Sequence, residues 1–305
     1  MTSYFVGTAL ALMSMALYSS MTLLTKLATA RLDSRMGMWI ALTAHLLSAA
    51  VLVLAAWLMG LGPDGFHVGP FGVFCLAGFL TSYLGRTFMF ETVAQLGAAR
   101  ASAFQTSSPI FTALFAWPLL GERPGVNGWT AMAVTFAGLT IISSRTGGAV
   151  PSGAVQRNEM GKLLLLGIGG SAAFALGYIC RAYAIRGWNE PVLGVLLGAA
   201  TAFIFQAMSD REVRSVLVRF RASDAHGIRL YLAVGVISTV AQIGTISAMR
   251  YMPAAEVAVI LMATPILVFP CSWLMLRQSE AIDMRAIGGV LLTLGGLGIL
   301  MLRPF

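Results

Sequence analysis

The chain has 305 residues, of which 58% are hydrophobic and only 10% are charged. A typical soluble domain carries roughly 25% charged residues, so this composition excludes a soluble domain and indicates an integral membrane protein. The net charge of +8 would suggest nucleic acid in a soluble protein, but basic residues in a membrane protein first report its orientation. We therefore expect membrane lipid around the chain and no nucleic-acid partner.

Ten apolar segments are each long enough to cross a hydrocarbon layer about 30 Å thick. In chain order they are Tyr4–Leu27, Gly37–Met59, Pro70–Val93, Ala99–Leu120, Val126–Ser144, Gly161–Ile185, Val192–Ser209, Ile228–Arg250, Ala255–Leu276 and Met284–Leu302. The first lacks a basic leader and an Ala-x-Ala-like cleavage site, which favours a retained helix over a signal peptide. The segments predict an all-α membrane protein with a first five-helix repeat at residues 1–150 and a second at 151–305.

Polar residues follow three- and four-residue spacing in five of these segments, which places each set on one face of its helix. The stripes are Ser14, Tyr18 and Thr25 in the first segment; Tyr83 and Arg86 in the third; Gln105, Ser108 and Thr112 in the fourth; Ser171, Tyr178 and Arg181 in the sixth; and Ser238, Gln242 and Thr245 in the eighth. A single Ser or Thr in such a place more often bonds to a neighbouring helix. Five stripes together favour a central cavity.

Basic side chains within the segments are more informative, because an ionisable residue at membrane depth usually faces a cavity. Arg86 is the deepest of them, and we interpret it as an anion contact or a gate. Lys26 and Arg181 stand at the ends of helices that run in opposite directions, so we expect them at opposite mouths of one passage. Snorkelling of these two side chains to the headgroups is the alternative interpretation.

A short motif occurs twice, as Ser108-Pro109-Ile110 and as Thr264-Pro265-Ile266, and each copy has a tryptophan eight positions after its proline. An odd number of segments separates the copies, so the second half must enter the bilayer from the opposite side. Each proline leaves the carbonyl four residues earlier without a donor, and its helix should kink or break. Paired breaks in inverted halves indicate a substrate site, although a packing kink satisfied by Ser108 or Thr264 is the alternative.

The fifth and tenth segments share a pattern of small residues seven positions apart. Ala131 and Gly138 in the fifth correspond to Gly289 and Gly296 in the tenth. Small residues at this spacing let two helices approach closely in lipid. We therefore expect these two segments to form a helix–helix contact.

Lys and Arg residues divide unequally between the two sides of the membrane. Fourteen of the twenty fall on one side: Lys26, Arg31, Arg35, Arg100, Arg145, Arg157, Lys162, Arg211, Arg214, Arg219, Arg221, Arg229, Arg277 and Arg285. The positive-inside rule makes this side cytoplasmic and both termini periplasmic in a bacterial inner membrane.

No Asp or Glu stands near the centre of any segment, and Glu91 and Glu256 come only at segment ends. A proton-coupled pump for cationic drugs would need a buried acid, so that class is disfavoured. His, Asp, Glu and Cys do not converge as catalysis or metal binding requires. We expect no catalytic residue, no metal and no cofactor, and the protein is not predicted to be an enzyme.

The second copy of the motif completes a pattern that resembles the drug/metabolite transporter superfamily, in particular its ten-helix EamA-type carriers. The matching stretches are Ala98-Ala99-Arg100-Ala101 and Gly121-Glu122-Arg123-Pro124, with Ala254-Ala255-Glu256 and Gly295-Gly296-Leu297-Gly298 in the second half. The resemblance implies a basket of helices around a central cavity. Within the superfamily the chain is most similar to bacterial aromatic amino acid exporters of the YddG type.

We therefore expect a monomeric exporter of amino acids, aromatic ones first, or of similar small metabolites. The expected cavity residues are Tyr18, Tyr83, Arg86, Gln105, Ser108, Pro109, Tyr178, Gln242, Thr264 and Pro265, with Lys26 and Arg181 at the mouths. Without a central acid, facilitated movement by alternating access is expected. The alternatives are a sugar-phosphate or nucleotide-sugar exchanger, which would need several converging cations, another metabolite or drug exporter, and a non-transporting membrane scaffold.

Overall fold

The computed structural model describes residues 2–63, 65–88, 108–122, 125–145, 157–210, 224–264, 266–268 and 284–301. Within these ranges the secondary structure is helical throughout. The helices are α1 (Thr2–Thr29), α2 (Ser34–Leu58), α3 (Val68–Gly78), α4 (Ser108–Leu120), α5 (Val126–Arg145), α6 (Arg157–Gly187), α7 (Pro191–Ser209), α8 (Ala225–Tyr251), α9 (Ala254–Met262) and α10 (Met284–Met301). A π-helix, Phe79–Gly85, continues α3.

These helices coincide with the ten predicted segments, and the all-α membrane fold is confirmed. Six of the described helices are long and apolar enough to cross a membrane, and shorter apolar helices cover Ser108–Leu120 and Ala254–Val268. The parts of the third, fourth and ninth segments at 89–107 and 269–276 lie outside the described residues. The boundary between repeats at residue 150 also lies there and stays a prediction.

Most of the helix packing joins one half of the chain to the other. The most extensive contacts are α1 with α8, α5 with α10, α2 with α8, α4 with α6, and α3 with both α6 and α7. Exchanging helices 1–5 for helices 6–10 turns the α1–α8 contact into α6–α3, and α2–α8 into α7–α3. The pairing is therefore that of two related five-helix repeats whose helices interleave.

The predicted contact between the fifth and tenth segments is confirmed at atomic level. A Cβ atom added to Gly138 would lie 2.6 Å from the Gly289 carbonyl oxygen, and one added to Gly296 would lie 2.7 Å from the Thr135 backbone nitrogen. Both distances are shorter than van der Waals contact, so the two backbones touch where side chains are missing. Helices in lipid associate by this kind of packing.

Two further close approaches occur at related places in the repeats. A Cβ atom at Gly78 on α3 would lie 2.3 Å from the Cα atom of Gly198 on α7, and one at Gly235 on α8 would lie 2.4 Å from the Ala41 carbonyl oxygen on α2. These contacts hold α3 and α8 tightly against their neighbours. The polar side chains of both helices are thereby fixed in position.

The N-terminal end of α8 is fixed by a polar cap. The Asp224 carboxylate accepts hydrogen bonds from the backbone amides of His226, at 3.2 Å, and Gly227, at 3.3 Å. Such a cap satisfies backbone N–H groups that the first helical turn leaves without partners. The His226 amide, together with Arg31, lowers the pKa of the Asp224 carboxyl below its ordinary value.

We predict that Gly296→Ala destabilises the protein while Gly295→Ala does not. A Cβ atom at Gly296 meets Thr135 and the Ala131 carbonyl oxygen, whereas one at Gly295 meets nothing within 4 Å. Overpacking of this kind costs about 1–3 kcal/mol. Thermal unfolding of the two purified variants in detergent measures the difference, and equal melting temperatures would contradict the packing described for α5 and α10.

Candidate functional site

Seven polar side chains from five helices meet inside the bundle and form what we call the central polar cluster. Its members are Tyr18 on α1, His45 on α2, Thr81 and Arg86 on the third segment, Tyr178 and Arg181 on α6, and Gln242 on α8. His45 and Gln242 lie near the middle of their helices. The cluster therefore lies near the middle of the bundle along the directions of α2 and α8.

Arg181 is the best-anchored member of the cluster. Its side chain is 5% exposed, and its Nη2 atom donates to Thr81 Oγ1 at 2.9 Å and to Gln242 Oε1 at 2.7 Å. The sequence places this residue at a helix end and at a mouth, but α6 continues to Gly187, so Arg181 stands more than one turn inside. The structure thus corrects its position from the rim to the interior.

The contact with Arg181 determines the orientation of the Gln242 amide and the charge of His45. An arginine can only donate, so the Gln242 oxygen faces it and the Gln242 Nε2 atom faces His45 Nε2, 3.1 Å away. His45 Nε2 must accept this hydrogen bond, which leaves the proton on Nδ1 to be donated to Thr239 Oγ1 at 2.8 Å. The imidazole is therefore the neutral tautomer.

Arg86 differs from Arg181 in having no hydrogen-bond acceptor within the described part of the chain. It follows the π-helix directly and is half-buried. Within the described residues its guanidinium donates to no protein acceptor, although it lies in electrostatic range of Tyr18 and Arg181. A π-turn often marks a functional position in a helix. Arg86 is thus a cation available to a ligand.

Tyrosines border the two arginines on one side. The Tyr18 hydroxyl interacts with Thr245 and with Arg181, and Tyr178 lies in electrostatic range of both Tyr18 and Arg181. Tyr83 is placed elsewhere: its ring centroid is 5.7 Å from that of Phe79 and 5.6 Å from that of Phe205. This aromatic packing favours a structural role for Tyr83 over the expected contact with substrate.

The break in the ninth segment occurs where Pro265 predicts it, but the Leu261 carbonyl four residues earlier already has hydrogen-bond donors. Helix α9 ends at Met262, and a turn follows at residues 263–264. The Leu261 carbonyl accepts a hydrogen bond from Thr264 Oγ1 at 2.6 Å and another from the Thr264 backbone nitrogen at 3.2 Å. The packing-kink alternative therefore holds here, and this oxygen is not free to meet a ligand.

The fourth segment shows only part of its predicted break. Ser108 and Pro109 are buried at the start of α4, and the Ser108 hydroxyl finds no hydrogen-bond partner among the described residues. Gln105 lies outside the described residues, as does Pro265 in the second copy. Helix α4 contains a second proline, Pro118. It is not part of the repeated motif, because the second copy has no proline at the corresponding position.

Most hydroxyls of the predicted stripes satisfy their own helix. Ser14, Thr25, Thr112, Ser171 and Thr245 each donate to the carbonyl four residues earlier. A hydroxyl bonded in this way needs no water-filled surrounding. These hydroxyls donate within their own helix rather than to a neighbouring helix, so the functional argument depends on the amide, the tyrosines and the arginines.

Charged contacts collect at the two ends of the bundle. At one end Arg186 pairs with Glu122, whose other oxygen accepts from the Ala254 backbone nitrogen at 3.0 Å, while Tyr4 donates to the buried Glu256 at 2.7 Å. The opposite end has contacts that join α2 and α7 and contacts that join α1 and α8. They are Arg35 and Trp39 with Asp210, and Arg31 with Asp224, whereas Lys26 is exposed.

The polar stripes in the sequence do not include two members of the cluster, Thr81 and His45. Neither stands out by type or spacing, and a lone histidine within a segment, such as His45, is more often a packed residue. Where side chains are described, no group of three or more His, Cys, Asp or Glu residues could hold a metal ion. The geometry brings fixed hydrogen-bond donors together inside the bundle.

Comparison with known proteins gives a family and a fold. The family model described as the EamA-like transporter family matches residues 5–144 and 161–302. One solved structure, described only as a crystal structure of a protein, is 18% identical and superposes with a TM-score of 0.74 over 97% of this chain and 99% of its own. At that identity the likeness shows the fold alone. No curated protein sequence gives a significant match.

We predict that Thr81→Val lowers stability more than Thr201→Val. Both hydroxyls donate to their own helix at 2.8 Å, but Thr81 also accepts from buried Arg181. Removing the acceptor of a buried charged donor costs about 1–3 kcal/mol. Melting temperatures of the two variants in the same detergent test this, and an equal loss would show that Arg181 does not depend on Thr81.

Proposed function

The chain belongs to the EamA-like transporter family, and we propose that it exports a small carboxylate-bearing metabolite by alternating access. Amino acids are the first class to test, with aromatic ones favoured, and the central polar cluster is the substrate site. The observation that carries this proposal is Arg86, a half-buried guanidinium with no acceptor in the described part of the chain. A carboxylate would supply the acceptor that the guanidinium lacks.

The tyrosines support an aromatic substrate. Tyr18 and Tyr178 place ring surface and hydroxyl groups beside the arginines. A ring buried against such side chains gains both apolar contact and favourable edge or face geometry. Ser108, Pro109 and Thr264 belong to the proposed site as its wall at the two helix breaks, and the resemblance to aromatic amino acid exporters agrees with this choice.

Alternating access is supported by the arrangement of the ends. Exposed or partly exposed ion pairs hold each end together, and such pairs contribute little net stability because water competes for both partners. Contacts of this kind can break at one end while the other stays closed. Interleaved repeats, in which each half packs mainly on the other, suit a rocking movement around a fixed site.

The placement of carboxylates supports facilitated movement rather than strong proton coupling. Glu122, Asp210, Asp224 and Glu256 all lie at helix ends with partners of their own. The described members of the central polar cluster include no acid. We further propose that the protein works as a monomer in a bacterial inner membrane, with its basic loops in the cytoplasm and both termini in the periplasm.

The structure also supports a second candidate function, a sugar-phosphate or nucleotide-sugar type exchanger. Such an exchanger needs several converging cations, and the sequence alone indicates only Arg86 as a deep one. Arg181 is now a second one, in electrostatic range of Arg86. Two converging guanidinium groups are the usual means of holding a phosphate, so phosphorylated sugars belong in the substrate panel.

We predict that Arg86→Gln and Arg181→Gln each reduce substrate counterflow at least tenfold, because each removes a charge from the site. Arg229→Gln makes the same change at an exposed position on the first turn of α8 and should leave flux unchanged. The measurement is counterflow in liposomes loaded with phenylalanine, tryptophan or a sugar phosphate, with and without a pH gradient. Normal flux in both site variants would remove this site assignment.

A further inference from the structure

We propose that the central polar cluster carries a net positive charge and therefore selects organic anions over zwitterions and cations. The preferred substrate would bear a carboxylate or phosphate group and no ammonium group. This inference rests on the proposed function, because it names the charge class that the same site transports. It also distinguishes between the two candidates above by charge rather than by shape.

The charges of the cluster follow from its hydrogen bonds. Arg86 and Arg181 are cations, since a guanidinium keeps its proton in proteins. His45 accepts from the Gln242 amide through Nε2 and is therefore neutral. Gln242 and Thr81 have no charge, and the tyrosines are neutral at physiological pH. The sum over the described members of the cluster is two positive charges.

No described carboxylate offsets these charges. Every Asp and Glu whose side chain is described stands at a helix end: Asp33, Glu122, Glu190, Asp210, Asp224 and Glu256. Four of them have hydrogen-bond partners outside the cluster. Tyr18, His45 and Arg181 are electrostatic neighbours of Arg86, and none of them carries a negative charge. The positive field of the two arginines is therefore left for a ligand.

The physical consequence is large because the cluster lies at membrane depth. Two like charges in a poorly solvated interior repel each other and lose hydration, and a bound anion relieves both penalties. Arg181 is held by Thr81 and Gln242 through Nη2 alone. Its Nε and Nη1 atoms remain for the Tyr18 hydroxyl and for substrate oxygens, and their positions are set before the substrate arrives.

An ammonium group meets the opposite situation. The Leu261 carbonyl, which Pro265 leaves without a helical donor, is already occupied by the Thr264 hydroxyl. Two further acceptors in the cluster, Gln242 Oε1 and Thr81 Oγ1, already accept from Arg181. An amino acid would bring its ammonium close to two guanidinium groups, whereas the corresponding keto acid would bring only the carboxylate.

The test compares three compounds that share a phenyl ring and differ in charge: an anion, a zwitterion and a cation. Full-length protein in liposomes is offered phenylpyruvate, phenylalanine or phenethylamine, with glucose 6-phosphate as a non-aromatic anion and protein-free liposomes as background. We expect phenylpyruvate to move at least tenfold faster than phenylalanine, and phenethylamine to stay at background. Phenylalanine moving as fast as phenylpyruvate, or faster, would overturn the charge inference while supporting the proposed function.

The remaining outcomes separate the two proposals. Movement of glucose 6-phosphate without movement of any aromatic compound supports anion selection and removes the aromatic choice. If nothing moves, the proposed function fails, and thermal stabilisation in detergent decides the charge inference separately. Stabilisation by phenylpyruvate or glucose 6-phosphate and not by phenylalanine supports it, and any other pattern of stabilisation overturns it.

A single substitution can lower the net charge of the cluster from two to one without removing either arginine. Gln242→Glu places a carboxylate against Arg181, and it should reduce the ratio of phenylpyruvate to phenylalanine flux at least tenfold. Gln206→Glu, the same change in the last turn of α7, should leave the ratio unchanged. If Gln242→Glu fails to fold, Arg86→Gln also lowers the net charge of the cluster by one and should reduce the same flux ratio. An unchanged ratio in Arg86→Gln would contradict the proposal.

Discussion

The arrangement of the bundle depends on one buried cation and the two side chains that hold it. Arg181 on α6 is satisfied by Thr81 from the third segment and by Gln242 from α8. A guanidinium at membrane depth is costly, and partners of this kind lower that cost. Because the Gln242 amide then has one possible orientation, it also fixes His45 on α2. A single charge thus orders side chains on four helices.

Close backbone packing makes this convergence possible. The contacts at Gly78 with Gly198 and at Gly235 with Ala41 bring α3 against α7 and α8 against α2. The hydrogen bonds of the cluster need helices this near to one another, since a threonine or glutamine side chain reaches only a short distance. Glycine supplies the approach and the polar residues supply the specificity, which apolar contact in lipid cannot provide.

Charge is distributed through the bundle by sign. The described carboxylates lie at helix ends, where caps and ion pairs satisfy them, while two cations lie in the interior. Such a separation gives the interior a positive potential relative to both openings. It fits a carrier in which the ends open and close and the centre binds the solute, and it explains why neither cation has an acidic partner within the described residues.

The sequence by itself determined the ten helices, the duplicated architecture and the contact between α5 and α10, because composition and periodicity act along one helix at a time. It also identified Tyr18, Arg86, Tyr178, Arg181 and Gln242, since helical spacing fixes which face a side chain occupies. Only the tertiary structure decided what each face meets. The partners of Arg181 are 100 and 61 residues away, and Gln242 reaches His45 across 197 residues. Burial of Arg181, occupation of the Leu261 carbonyl by Thr264 and the packing of Tyr83 among phenylalanines all follow from such distant contacts, which no local pattern specifies.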